Sequence, residues 1–155
     1  MMDQINFRKA TLDDIETIAE LRKLQIQDEG QKPSVNIDKE LHQFFRDKMS
    51  SGELIEWVAE DDAGNIIATS AIIFMDFPPS FNNPTGKRGY VANMYTADEY
   101  RGNRIAGQLL EHLEKEAISR GVDMLFLHAS EMGRKAYVKS GFAEADIYME
   151  KLIKP

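Results

Sequence analysis

The sequence predicts a mixed α/β fold, with a central twisted sheet, mostly antiparallel, flanked by helices. Two observations predict it. Taken in order, the apolar periodicities read β, α, α, β, β, β, α, β, α, β. Hairpin signals fall in the first half and a β-α-β unit in the second, so strands of both orientations must share one sheet. The 155 residues are read as one domain over 1–155, long enough to bury a full core.

Ile5 to Phe7 alternates apolar and polar residues and reads as a short first strand. Thr11 is a suitable N-cap, with Asp13 and Asp14 in the first turn to suit the helix dipole. Ile15, Ile18, Ala19 and Ile26 then recur at helical spacing up to Gly30. Asp38 opens a second helix carrying Leu41, Phe44, Phe45 and Met49, stopped at Gly52. Leu54 to Glu60 is a strand, residues 61–65 form a Gly/Asn hairpin turn, and Ile66 to Met75 is the return strand. Residues 76–88, with three prolines and two aromatics, are a loop of a length that is often functional. Tyr90 to Thr96 is the fourth strand. Ile105, Leu109, Leu110, Leu113, Ala117 and Ile118 mark one side of the next helix, ended by Gly121. Met124 to His128 is a short buried strand. Ser130 caps a last helix that ends at Gly141, and Phe142 to Ile153 reads as one or two closing strands.

The composition excludes several function classes. A net charge of −7 argues against a general nucleic-acid binder and mildly favours cationic small partners. No apolar run is long enough to cross a bilayer, and the first residues carry no secretory pattern. Cysteine is absent, which excludes disulfides, a thiolate metal site and a cysteine nucleophile. A cytoplasmic location is the expectation. His42, His112 and His128 show no zinc spacing, so no metal is expected.

The segment with the most chemistry is Tyr100 to Gly107. It lies between a strand and an amphipathic helix and is rich in small and basic residues. The first N–H groups of a helix have no partner inside it and point outward together, and the dipole adds partial positive charge. An anion such as a pyrophosphate suits that cradle, with Arg101 and Arg104 adding full charges beside it. A solvated turn with two surface arginines is the alternative.

Arg101-Gly102-Asn103-Arg104-Ile105-Ala106, together with Tyr137-Val138-Lys139-Ser140-Gly141-Phe142, resembles the GNAT superfamily of acetyl-CoA-dependent N-acetyltransferases. The resemblance covers the whole chain in element order and is sharpest from Tyr90 to Phe142. It implies acetyl-CoA as co-substrate, with its pyrophosphate on the backbone of Gly102, Asn103, Arg104, Ile105, Ala106 and Gly107, and with the Arg101 side chain holding either the turn or the phosphates. It implies a pantetheine arm alongside Met94, Tyr95 and Thr96, where a bulge splays two strands. It implies Tyr137 as the acid that protonates the departing thiolate. Two positions depart from the family pattern. Arg104 stands where a glycine is usual: at negative φ its N–H still faces the phosphate, at positive φ the arginine is strained. Ser130 stands where an asparagine is common, which preserves the cap and leaves a cofactor contact open.

The proton acceptor for the amine is not legible. Glu29, Glu60, Asp76 and His128 are candidates, each with an ordinary structural role as the alternative. Phe77, Phe81 and Tyr90 form either an apolar acceptor wall or edge packing, and Asp28, Glu29 and Asp76 suggest an acidic mouth for a cationic amine. The acceptor class implied is a small-molecule or protein amine, and a homodimer is one expected assembly. A non-catalytic acetyl-CoA-binding module is the competing function. A nucleotide-binding P-loop is disfavoured because the turn lacks the Gly-Lys-Ser or Gly-Lys-Thr ending.

Overall fold

The computed structural model describes residues 4–145 and 147–153. Its frame is a five-stranded sheet in the order β1-β2-β3-β4-β5, with β1 at Asn6–Lys9, β2 at Leu54–Glu60, β3 at Ile66–Asp76, β4 at Lys87–Thr96 and β5 at Met124–Phe126. The first four strands are antiparallel neighbours, and β5 lies parallel to β4. The sheet is therefore mixed and mostly antiparallel, as the element order predicts. The helices are α1 (Ile15–Asp28), α2 (Asp38–Ser51), α3 (Ile105–Ser119) and α4 (Arg134–Lys139).

The period-2 alternation of β2 divides the core. Leu54 and Val58 point to one face, where Ile15, Ile18 and Ala19 of α1 and Phe45 of α2 bury against them. The other face meets α3 and α4 through Ile72, Val91, Leu110, Leu113, Ala117 and Tyr137. Ile118, placed by periodicity on the apolar side of α3, is instead exposed. Glu116 accepts a hydrogen bond from Trp57 Nε1 at 3.2 Å and pairs with Lys9 at 3.1 Å.

Local chemistry explains the boundaries. Thr11 starts a single 3-10 turn, Leu12–Asp14, and α1 follows at Ile15. The Asp14 carboxylate accepts the Thr11 N–H at 2.7 Å and the Arg8 guanidinium at 2.8 Å, tying β1 to the helix start. That guanidinium holds the Asp14 carboxyl below its usual range. Asp38 is the first residue of α2 rather than its cap, and its N–H is accepted by Asn36 Oδ1 at 2.9 Å. In the β2–β3 turn, Asp61 Oδ1 accepts the N–H groups of Ala63 and Asn65.

The loop before β4 is pinned. Asn83 is buried and donates to Asp123 and to the Lys87 carbonyl, while its own Oδ1 accepts Arg88 Nε. Gly86 has φ of 71°, and a Cβ there would lie 2.0 Å from the Phe77 carbonyl oxygen. Strand β4 accordingly begins three residues earlier than Tyr90, at Lys87.

The closing strands expected over Phe142 to Ile153 are not found: no strand occurs among the described residues there, and Asp146 and residues 154–155 lie outside them. A strand needs a partner edge as well as an apolar pattern. Here Ile147, Tyr148, Met149, Leu152 and Ile153 are exposed.

Candidate active site

The cleft is built by a mismatch between β4 and β5. Their pairing covers only Arg88, Gly89 and Tyr90 of β4, against Met124, Leu125 and Phe126. Beyond Tyr90, no described strand pairs with that edge of β4. On its other edge β4 bulges, since Thr69 faces Tyr95 and Ala71 faces Ala92, leaving Ser70 opposite both Asn93 and Met94. Asn93 adopts φ of 56° there, a left-handed conformation that asparagine tolerates better than most residues. The result is a V-shaped gap with backbone groups of Met94 and Thr96 along one wall; the Ala97 N–H bonds the Ile67 carbonyl, so by the alternation of an antiparallel ladder Tyr95, expected on that wall, turns its backbone to Thr69 of β3 instead.

At the wide end of the V stands the N-terminus of α3. The chain leaves β4 through a 3-10 turn, Asp98–Tyr100, and the residues of the expected cradle follow. No side chain caps α3, and its first helical bond runs from the Gln108 N–H to the Arg104 carbonyl. The N–H groups of Ile105, Ala106 and Gly107 therefore precede the hydrogen-bond ladder. A Cβ at Gly102 or at Gly107 would meet nothing within 4 Å, so the approach to these N–H groups is open. The space, the amide donors and the dipole all fit a pyrophosphate.

The two arginines have different positions. Arg101 turns back on the protein: its Nε donates to the Thr96 carbonyl at 2.9 Å, and it pairs with Asp98 at 2.6 Å and Asp28 at 3.2 Å. It holds the turn. Asn103 Nδ2 does the same by donating to the Tyr100 carbonyl at 2.9 Å. Arg104 is exposed and has φ of 62°, so the strained of the two alternatives is the one realised.

Tyr137 lies on α4, buried in the same apolar cluster as Val91, with Met94 packed against it. Its ring meets Phe142 edge-on at 6.0 Å, and a Cβ at Gly133 would fall 2.8 Å from that ring. Thus the Tyr-x3-Gly-Phe spacing folds the phenylalanine against the tyrosine. Burial pushes the phenol up to about 12, with the charges of Glu29 and Tyr90 adding to the shift. Tyr137 is consequently protonated across the whole working pH range. Ser130 caps the turn into α4 by accepting the Gly133 N–H at 3.1 Å.

The other candidates separate by position. Tyr90 is half-buried, with its ring 5.0 Å from that of Phe126 and its hydroxyl 3.2 Å from His128 Nδ1. His128 also lies 4.5 Å from the Tyr148 ring. Phe77 meets Phe126 edge-on, whereas Phe81 is fully exposed and contributes no wall. Glu29 is close enough for its charge to act on both Tyr90 and Tyr137. Glu60 is instead held by Arg8 at 3.1 Å and Asn6 at 3.0 Å, on the far side of the sheet from β4. Asp76 pairs with Lys87, at the opposite end of β4 from the cradle. The acidic mouth therefore does not assemble, because Asp76 is remote and Asp28 is neutralised by Arg101.

One buried group was missed. Glu56 of β2 is 1% exposed, and its Oε2 accepts Asn93 Nδ2 at 3.2 Å. Strand alternation carried the signal: Leu54, Glu56 and Val58 share the inward face, so the one carboxylate among them had to be buried.

Comparison with known proteins accords with this geometry. The model of the acetyltransferase (GNAT) family matches residues 16–142. No curated protein matches the chain. Among solved structures, a predicted acetyltransferase with acetyl-CoA from Clostridium acetobutylicum shares 44% identity over 97% of each chain, with a TM-score of 0.92. A GCN5-related N-acetyltransferase from Ralstonia eutropha superposes with a TM-score of 0.90 at 23% identity, covering 97% of this chain and 100% of that one. Glucosamine-6-phosphate N-acetyltransferase from Arabidopsis thaliana follows at 0.74 and 24%, covering 98% and 100%. At those lower identities the likeness is one of fold.

Proposed function

Since the chain belongs to the acetyltransferase (GNAT) family, we propose that it moves an acetyl group from acetyl-CoA to a primary amine by direct attack in a ternary complex. The observation that carries this reading is one juxtaposition: an open β4 edge, an uncapped α3 N-terminus and a buried, protonated phenol around one gap. The relative that shares 44% identity, described with acetyl-CoA, supports the same ligand here.

The backbone of Gly102 to Gly107 binds the pyrophosphate, and exposed Arg104 supplies the full positive charge that Arg101 has committed elsewhere. The backbone of Met94 and Thr96 pairs with the pantetheine amides as an added strand would, while Tyr95 between them bonds β3. The Ser130 hydroxyl keeps its proton to donate, since its oxygen serves as the cap. An N–H at the bulge polarises the thioester carbonyl.

The amine nitrogen attacks the carbonyl carbon, forming a C–N bond while the C–S bond breaks. The Tyr137 proton passes to the departing sulfur. From a phenol near 12 to a thiolate near 8.5, full transfer costs about 5 kcal/mol. Burial raises a thiol sharing that cavity as well, which narrows the gap. The ammonium proton leaves toward Glu29 or His128, the two candidates near the phenols. A cytoplasmic amine, small or protein-borne, is the acceptor class in this reading.

Replacing Tyr137 by Phe tests the assignment against a module that only holds acetyl-CoA. The enzyme reading predicts a fall in kcat of about 10² or more with acetyl-CoA affinity kept. Unchanged turnover removes Tyr137 from the chemistry.

We also infer a homodimer, because five large apolar side chains of residues 147–153 stand exposed and no described strand pairs with the outer edge of β5.

A further inference from the structure

Glu56 is a carboxylic acid inside the core, and its surroundings define what it touches. In the sheet it faces Ala71 of β3, which in turn faces Ala92 of β4. Both are alanines, so no long side chain stands between β2 and β4 in this row. The Glu56 side chain extends over Ala71 and reaches Asn93, the bulge residue. Asn93 is held a second time, since Thr69 Oγ1 donates to its carbonyl at 2.8 Å. Side chain and carbonyl of one left-handed residue are thus both fixed by neighbouring strands, at the point where β4 turns its backbone toward the gap. Glu56 Oε1 is buried without any hydrogen-bond partner.

A charged carboxylate in this position would be poorly compensated. Arg22 of α1 is the cation whose charge reaches it, and Asn93 donates one hydrogen bond. Burial outweighs both and pushes the carboxyl well above its ordinary range. The neutral acid is the form that fits, with Oε2 as acceptor toward Asn93. A neutral acceptor is all that this contact requires.

We propose that Glu56 is a positioning residue for acetyl transfer: it clamps the Asn93 side chain and so fixes the bulge that aims the following N–H group, at Met94, at the acetyl carbonyl. The proposal rests on the acetyltransferase reading above. It assigns to a buried residue of β2, outside the cleft, control over the geometry of the oxyanion donor on β4. A donor misplaced at this step is costly, because removing one such hydrogen bond lowers kcat by about 10²–10³.

Three variants test it, in the full chain with acetyl-CoA and an amine acceptor. Glu56→Leu removes the acceptor and is expected to lower kcat by about tenfold or more while the acetyl-CoA KM stays within about twofold. Glu56→Gln supplies a neutral oxygen of the same reach and is expected to rescue kcat to within about threefold with an unshifted pH profile. Asn93→Gly keeps the left-handed backbone but deletes the clamped side chain, so in that background Glu56→Leu should cause no further loss. A second readout needs no turnover: the Met94 and Tyr95 amide resonances should move in Glu56→Leu and return in Glu56→Gln. If Glu56→Leu does not fold, the single variants decide the question: a wild-type-like kcat in Glu56→Gln with a lowered kcat in Asn93→Gly supports the clamp, and an unmoved kcat in Asn93→Gly overturns it. Equal loss in Glu56→Gln and Glu56→Leu with a lost acidic limb overturns the proposal in favour of a proton-accepting role. Unmoved kcat and unmoved resonances in folded Glu56→Leu also overturn it. A wild-type protein that acetylates no amine defeats the function reading alone, since the resonances still report on the clamp.

Discussion

Arg104 carries a left-handed backbone at the mouth of α3 without a glycine's freedom, and an L side chain there costs about 1–2 kcal/mol. Arg104→Gly should therefore raise Tm by about 2–4 °C. The amide cradle survives the change, while a full charge near the pyrophosphate is lost, so acetyl-CoA binding should weaken and become less salt-sensitive. Calorimetry at two salt concentrations reads both effects. Glu56 predicts a pH dependence of opposite origin. Its folded pKa lies well above the ordinary 4.5, with Arg22 and Asn93 as the opposing influences. A carboxyl raised in this way contributes fully below its unfolded pKa, and that stability is lost as pH rises toward the folded pKa. Glutamine has no such loss. The Tm advantage of Glu56→Gln over wild type should thus grow as pH rises above the ordinary carboxyl range. An advantage that shrinks with pH would mean that the native carboxyl is charged.

At the scale of elements, the loop before β4 is the sharpest case of sequence forced by geometry. A methyl group on Gly86 would occupy space 2.0 Å from the Phe77 carbonyl oxygen, and the positive φ adds strain. Gly86→Ala should destabilise by about 2 kcal/mol or more, measured as a drop in the urea midpoint. Helices α1 to α3 were legible because apolar residues recur at their period. The anion cradle was legible because small and basic residues stand at a helix start, and the Tyr137 to Phe142 motif was legible only through its resemblance to the family signature. The bulge was not legible from the residues of β4, since Asn93 reads as one more polar residue in an alternating strand. Its conformation depends on Thr69 and Glu56, each from a different strand. The acidic mouth failed for a related reason: sequence offered Asp28, Glu29 and Asp76 without revealing that Arg101 takes Asp28 and that β4 separates Asp76 from the cradle.

For the whole molecule, the closing segment shows the limit of pattern alone. Residues 147–153 carry a strand's composition, yet their large apolar groups are exposed. In the homodimer reading a second copy covers them. Light scattering should give twice the chain mass, and Ile147→Asp with Met149→Asp should return the monomer while leaving the β4 gap intact. A monomeric wild type contradicts that reading. The central claim is acetyl transfer to an amine, and it meets its most direct test in thiol release from acetyl-CoA across a panel of primary amines, with the product mass read alongside. The chain has no cysteine, so every thiol detected comes from coenzyme A. Acetyl transfer gives amine-dependent thiol release, a product heavier by one acetyl group, and loss of both in Tyr137→Phe. Saturable acetyl-CoA binding with no release for any amine would contradict it and leave a module that holds acetyl-CoA and transfers nothing.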